Sequence, residues 1–506
     1  MMNKFMAGLA TEHDHVYTEN GGKAYRSAGD ALMDLFAHGG AYRSRSDADC
    51  VLLFKNAYQE NPEYALKCLF YLRDILEGQG ERRFFRVCLN WLARTDAAAV
   101  IRNMQYIPEL GRYDDLYELV DTNAEKAMFD LVKAQLILDI KSKTPSLLAK
   151  WLKSENASSK RTRYLGRKTR EALNMTPRVY RKTLSMLRER INIVERLMSA
   201  GQWDLIEFDK IPSQAGFRYR NAFARRDILK AKYEKFVKDE KTTVNAKALA
   251  PYEVVYQARN CHTPDLQDIN RLTINKYWAN LHDYFEGCTL NALCVVDTSG
   301  SMTWSYGNNS NVLPIDVAIS LGLYAADKAK GPFAGHYISF SSRPQLIKVE
   351  GADFVDKVRR IYATNLCSNT DLEATFNMLL NTAVKNHCKQ EDLPGSIVVI
   401  TDGEFDSMVC DNYRDNWGYQ HTISLNTWQT VGEAIREKWQ RAGYQMPNLV
   451  FWNVNSRNDQ VPMKMEAGVS LVSGFSPTTF QMIMSGKTGV DLMYDTLNKA
   501  RYAGIK

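Results

Sequence analysis

The stretch Asn291–Ser301, NALCVVDTSGS, decides the fold of the second half of the chain. Its first part is a short apolar, β-branched run without polar alternation, the pattern of a strand covered on both faces. It ends on an acid and turns polar at once. A second run of this kind, Ser396–Thr401 (SIVVIT), leads into Asp402 and Gly403. Outward from these two, further strands are expected at Gly335–Phe340, Gln345–Val349, Asn448–Asn455 and Val469–Val472. Helical patterns at Pro314–Lys328, Asp371–Val384, Thr430–Ala442 and Pro477–Met484 alternate with them. The alternation predicts an α/β domain over residues 288–506 with a doubly wound, mostly parallel sheet. Ligands of such sheets bind beyond the carboxyl ends of the strands, so the loops after Val296, Ile400 and Val454 are where function is expected.

Ahead of residue 288 the pattern is helical. Apolar stripes at helical spacing predict helices over Asp47–Gln59, Tyr64–Glu77, Glu81–Leu92, Ala97–Ile107, Asp114–Val120, Asp121–Lys141 and Thr144–Lys153. Short turns such as Gly78–Gly80 and Pro108–Gly111 separate them. Stacked helix pairs of this kind predict an irregular α-solenoid over residues 46–287. Residues 1–45, polar and rich in Gly and Ser, are expected to form a flexible N-terminal arm with one short helix at Ala31–Phe36.

Composition narrows the class. The chain has 506 residues, 45% hydrophobic and 24% charged, enough apolar material for two to four domain cores and too much for a disordered chain. No run reaches the roughly 18 apolar residues that span a bilayer, and the N-terminus lacks the apolar core of a secretion signal. Nine scattered cysteines with no CxxC pair argue against a disulfide framework or a zinc site, and for core thiols in a reducing cytoplasm. The formal charge of +7 is unevenly spread. Residues 141–190 hold fifteen Lys or Arg against three acids, and segment 141–241 as a whole carries +15, leaving −8 for the rest.

The loops of the α/β half gather oxygen ligands. Asp297, Ser299 and Ser301 follow the first strand, Ser368-Asn369-Thr370-Asp371 leads into a helix, and Asp402 follows SIVVIT. Carboxylates and hydroxyls without nitrogen or sulfur suit a hard cation such as Mg²⁺. Because hydroxyls add no charge, the ion stays net positive and offers an open position to a carboxylate or phosphate. The same residue types also cap turns and helices. The constellation resembles the metal-ion-dependent adhesion site of von Willebrand factor A domains, whose first loop reads DxSxS. The resemblance assigns Asp297, Ser299, Ser301, Thr370 and Asp402 as metal ligands. Where that family usually has glycine before the second-loop threonine, this sequence has Asn369.

The basic segment places Arg163, Arg167 and Arg170 on one helical face and Arg178, Arg181, Lys182 and Arg188 on another, with Lys160, Arg161, Lys168, Arg218 and Arg220 nearby. Tyr164, Tyr180, Phe217, Tyr219 and Phe223 are interleaved. Cations for phosphates and aromatics for bases are the requirements of single-stranded RNA binding. The alternative for any single residue is a solvated helix surface above a core aromatic. Further motifs point the same way: Arg73-Asp74 ahead of Gly78-Gln79-Gly80-Glu81-Arg82, Leu110-Gly111-Arg112-Tyr113-Asp114-Asp115, Lys150-Trp151-Leu152 and, near the C-terminus, Val472–Ser476. With the downstream domain, their order resembles the Ro autoantigen (TROVE) superfamily, in an uncharacterised Ro-like branch. That resemblance implies a ring or horseshoe of HEAT-like helical repeats joined to a von Willebrand factor A domain. It also implies binding of small or misfolded non-coding RNA by the ring. Arg73, Asp74, Arg112, Asp114 and Asp115 are expected to be structural, with Asp114 a helix cap and Arg–Asp pairs tying successive repeats.

The expectation is a non-catalytic, cytoplasmic, monomeric RNA-binding protein with an acidic protein ligand at its metal site and no membrane partner. The alternative is a metal-dependent protein–protein adaptor without RNA. An enzyme has the least support: no nucleophile–base pair, no HExxH spacing, and a Ser485–Thr488 run that lacks the earlier glycine and the preceding strand of a phosphate loop.

Overall fold

The computed structural model describes residues 14–18, 23–191, 193–286, 291–304, 312–340, 343–364, 371–404, 411–414, 420–423 and 431–506. They form two compact units. One comprises the chain up to Ala65 together with 250–262 and 282–499; the other comprises 66–249, 263–281 and 500–506.

The first unit is built on six strands: β1 (Ala292–Asp297), β2 (His336–Phe340), β3 (Gln345–Lys348), β4 (Ser396–Thr401), β5 (Asn448–Asn453) and β6 (Val469–Ser473). They lie in the order β6-β5-β4-β1-β2-β3, all neighbours parallel except the β2–β3 edge. The chain runs outward from β1 through β2 to β3, then returns to lay β4 on the other side of β1. This reversal is the topological switch point of a doubly wound sheet. Every residue of β1 is buried, as the unbroken apolar run requires. Helix Pro314–Lys328 is buried almost all round. It comes so close to β1 that a Cβ at Gly322 would sit 2.4 Å from Cγ2 of Val296. The edge strand β3 is short, largely exposed and ends in Lys348, features that discourage further strand pairing.

Residues 23–45 are not a loose arm. Tyr25 exchanges backbone hydrogen bonds with Val461 (2.8 and 2.9 Å). Helix Ala31–His38 buries Leu32, Leu35 and Phe36. The Gly40 amide donates to Ser473 Oγ (2.9 Å), and Ser44 Oγ donates to Asn455 Oδ1 (2.9 Å). The apolar residues of this stretch are few, and they become a core only because the β5–β6 end of the sheet lies beneath them. Likewise helix Pro251–Arg259 belongs to the sheet unit, where Arg259 Nη1 and Tyr362 OH both donate to Asp316 Oδ1 at 2.6 Å. The units therefore interleave along the chain instead of meeting once at residue 288.

The second unit is helical. Helix Pro62–Arg73, which enters it at Leu66, starts at a proline tolerated in the first turn and ends at Arg73, short of the expected Glu77. Its last carbonyls are met by the returning chain, Gln79 N on Tyr71 O (3.2 Å) and Glu81 N on Leu72 O (2.7 Å). The expected helix Asp114–Val120 is a 3₁₀ helix, Tyr113–Leu119, and Thr144–Lys153 contracts to Leu148–Trp151 behind Pro145. Beyond these come Lys160–Ala172, Pro177–Ile191, Ser213–Arg225, Asp227–Lys238 and Ile269–Ala279. Phe208, Phe223 and Tyr233 centre one core, with ring centroids 4.9–5.7 Å apart.

One buried ion network ties the early helices. Asp115 is fully buried and accepts from Arg73 Nε (2.8 Å), Arg86 Nε (2.6 Å) and the Arg112 amide (3.0 Å). Asp114 pairs with Arg86 and Arg112 instead, so the capping role expected for Asp114 falls to Asp115. Asp74 accepts from Arg501 and Tyr502, drawing the last residues into this unit. Removing one member of a buried pair leaves the other charge uncompensated, at a cost of about 3–5 kcal/mol. Asp115→Asn is therefore expected to shift urea unfolding of the helical unit by about that much, because Arg73 is only 2% exposed. Arg86→Ala, at a quarter-exposed side chain, should cost clearly less. An Asp115→Asn protein that unfolds at the wild-type midpoint contradicts this account.

Candidate metal and nucleic-acid sites

Strands β1 and β4 are neighbours with Val296 opposite Ile400, so Asp297 and Thr401 end side by side at the switch point. Asp297 is fully buried. Its Oδ1 accepts from the Ser299 amide (2.9 Å) and its Oδ2 from Thr401 Oγ1 (2.7 Å). The loop then winds into a short 3₁₀ helix, Gly300–Thr303, which brings Ser299 Oγ within 3.0 Å of Ser301 Oγ. Gly403, with φ of +88°, lets the chain turn directly after Asp402.

Asp402 is 2% exposed, and its Oδ2 has no hydrogen-bond partner among the described residues. Burial, reinforced by the neighbouring Asp297, pushes its carboxyl up to about 8, while the Ser301 hydroxyl and the Glu404 amide pull the other way. The structure thus brings Asp297, Ser299, Ser301 and Asp402 to one sheet edge. Thr370 lies outside the described residues. Among the described residues no three His, Cys, Asp or Glu side chains form a metal-holding group. The donor set here is instead two carboxylates and two hydroxyls. It fits a hard cation, and the orphaned Oδ2 of Asp402 is the atom such an ion would satisfy.

Sequence reasoning missed Glu404. It is 1% exposed and held by Asn458 Nδ2 (3.0 Å) and Gln460 Nε2 (3.1 Å), which fixes the loop behind Asp402. The two-residue spacing Asp402–Glu404 was visible, but its amide partners lie more than fifty residues away. Trp304, directly after the serine loop, is 69% exposed.

In the basic segment the structure separates two kinds of cation. Arg163 caps the carbonyls of Ala157 and Ser158 (3.0 and 2.7 Å). Lys168 pairs with Glu125 and Asp121, and Arg170 with Glu155 (2.9 Å). Arg188 is spent on the carbonyls of Ala149 and Leu152 (both 2.8 Å). Arg220, 6% exposed, donates to Phe217 O (2.7 Å) and Asn270 Oδ1 (3.1 Å). Arg161 leans on Asp121 at 3.7 Å but remains exposed. The expected face of Arg163, Arg167 and Arg170 is thus mostly internal bracing. By contrast Lys160, Arg167, Arg178, Arg181, Lys182 and Arg218 are exposed, and none pairs with a described residue. Lys160 and Arg167 stand two turns apart on Lys160–Ala172; Arg178, Arg181 and Lys182 share a face of Pro177–Ile191. Three of the interleaved aromatics, Tyr180, Phe217 and Phe223, are buried in the core, and Tyr164 donates at the surface to Asp121 (2.7 Å).

No helix among the described residues is long and apolar enough to cross a membrane. The model of a family described as a domain of unknown function, DUF7788, matches residues 291–501, and that of another, DUF2828, matches residues 18–164 and 139–284. An uncharacterized protein, L728, of Acanthamoeba polyphaga mimivirus is 28% identical over 514 residues, covering 93% of this chain and 85% of its own. The crystal structure of the Deinococcus radiodurans Ro (RSR) protein aligns at a TM-score of 0.40 and 13% identity, over 95% of this chain and all of that one. With its residues 18–284 matched, more than half of its length, the chain belongs to the DUF2828 family.

Proposed function

We propose that this is a non-catalytic, Ro-like RNA-binding protein of the cytoplasm. Its helical unit holds small or misfolded non-coding RNA. Its sheet unit presents a divalent cation, Mg²⁺ in the first instance, to a carboxylate on an acidic protein ligand. The observation that carries the RNA reading is that six of the cations expected to bind RNA stay exposed and unpaired among the described residues of segment 141–241, inside a chain whose remainder is net negative. Cations spent on internal carbonyls and carboxylates gain nothing from a phosphate; free ones release condensed counterions when they meet it. With Tyr180, Phe217 and Phe223 buried and Tyr164 tied to Asp121, affinity rests on phosphates, and sequence preference from this face is weak.

For the metal site, the support is the buried, partnerless Oδ2 of Asp402 beside Asp297 and two serine hydroxyls. The residues that would hold the ion are Asp297, Ser299, Ser301 and Asp402, with Thr370 proposed from the loop resemblance alone. A bound cation would supply net positive charge at an open coordination position. The chain's own groups orient it, Thr401 and the Ser299 amide fixing Asp297, and Asn458 and Gln460 fixing the loop after Asp402.

Two outcomes follow. Fluorescence anisotropy with a single-stranded RNA should give an affinity falling with salt, at a log–log slope of about −4 for six phosphate contacts. Reversing Arg178, Arg181 and Lys182 to Glu should weaken all sequences alike and flatten the slope by about 2. Arg170→Ala should lower thermal stability and leave the slope unchanged. Salt-indifferent binding, or none at low salt, contradicts the RNA reading. Separately, Mg²⁺ at a hundredfold excess over its dissociation constant should stabilise the chelator-treated protein by about 2.7 kcal/mol, seen as a rise in Tm. Asp402→Asn should abolish that gain and keep the fold; equal gains in both proteins contradict the assignment.

A further inference from the structure

Between helices Pro177–Ile191 and Val194–Ser199 lies a cleft of about 340 Å³, at the small end of ligand-sized sites. Three arginines line it, Arg181, Arg188 and Arg196, together with Tyr180 and Ser185. Arg188 and Arg196 are anchored, on Ala149 and Leu152 carbonyls and on Glu189. Arg181 is exposed and pairs with no described residue.

Glu195 breaks this positive wall. It lines the same cleft, its carboxylate accepts no hydrogen bond from a described residue, and its Oε2 is buried without a partner. The cation paired with it is Lys150, whose Nζ is 3.8 Å from Oε1, too far for a hydrogen bond. A carboxylate only accepts, so what it lacks is a donor. The cleft therefore combines, on one lining, a free cation for a phosphate with an unsatisfied acceptor.

We propose that this cleft holds one unpaired nucleotide of the bound RNA, with its phosphate on Arg181 and the donor edge of its base on Glu195. The proposal rests on the RNA reading above and adds base selectivity to it. Guanine is the base that fits, because its N1–H and N2–H₂ point the same way and match a carboxylate. Uracil sets two carbonyl acceptors around a single N–H, so it offers the carboxylate no matching pair of donors and gains nothing from it. Unstacked bases read on their Watson–Crick edge are the usual source of sequence preference in RNA recognition.

The test compares oligouridine with the same oligomer carrying one central guanosine, by fluorescence anisotropy with the full chain. Wild-type protein should bind the guanosine-containing RNA about tenfold more tightly, the effect of one good base contact. Glu195→Ala should remove that preference and leave oligouridine affinity unchanged. Arg181→Ala should weaken both RNAs by the same factor. Equal binding of the two RNAs by wild-type protein, or a preference that survives Glu195→Ala, overturns the nucleotide cleft while leaving phosphate-driven binding intact. Failure of wild-type protein to bind either RNA at low salt overturns both readings together.

Discussion

Two carboxylates, Asp297 and Asp402, sit buried at the ends of adjacent strands, and the sheet unit is organised around that fact. Like charges brought together in a medium of low polarity cannot both stay ionised without compensation. Asp297 is compensated from within, by a backbone amide and a threonine hydroxyl. Asp402 is compensated only in part: its Oδ1 accepts from the Glu404 amide (3.3 Å), while its Oδ2 has no partner among the described residues and burial pushes its carboxyl up. A parallel doubly wound sheet creates this situation by its topology, since the reversal of strand order is what makes β1 and β4 neighbours. The loop behind Asp402 is then held from below by Glu404, Asn458 and Gln460. A fold that needed only stability would place apolar residues there; a rigid, oxygen-lined edge with one unsatisfied atom is what a cation would complete.

The helical unit handles charge in the opposite way. In its deepest ion network, three residues, Arg73, Arg86 and Arg112, donate to the one buried carboxylate of Asp115. Its basic segment is open. About half of the cations there brace helix ends and neighbouring turns, and the others are left facing solvent without carboxylates. Bracing and display alternate along the same helices, which explains how +15 can be tolerated over a hundred residues: part of the charge is neutralised locally, and the rest stands on surfaces where water screens it.

Much of the fold was legible in the sequence because β1 and β4 are buried on both faces, and such strands read as unbroken β-branched runs. The carboxyl-end rule then located Asp297 and Asp402 without further information. The docking of residues 23–45 was not legible, since its few apolar side chains gain a partner only from strands some four hundred residues later. The roles of Arg163, Arg170 and Arg188 were hidden for a related reason. A charge count records a cation but not the carbonyl or carboxylate it meets, and those partners are set by tertiary packing. Glu404 escaped in the same way. The aromatics misled because helical spacing serves a core stripe and a base-stacking face equally well until burial decides between them.

The central claim is that the free cations of the helical unit form an RNA surface. Its most direct test is photo-crosslinking of the full chain to a single-stranded RNA containing 4-thiouridine, with the attached peptides mapped by mass spectrometry. Crosslinks are expected to concentrate in residues 160–196, on the helices that carry Lys160, Arg167, Arg178, Arg181 and Lys182. Crosslinks confined to the sheet unit, or none above a competitor-quenched background, would contradict it.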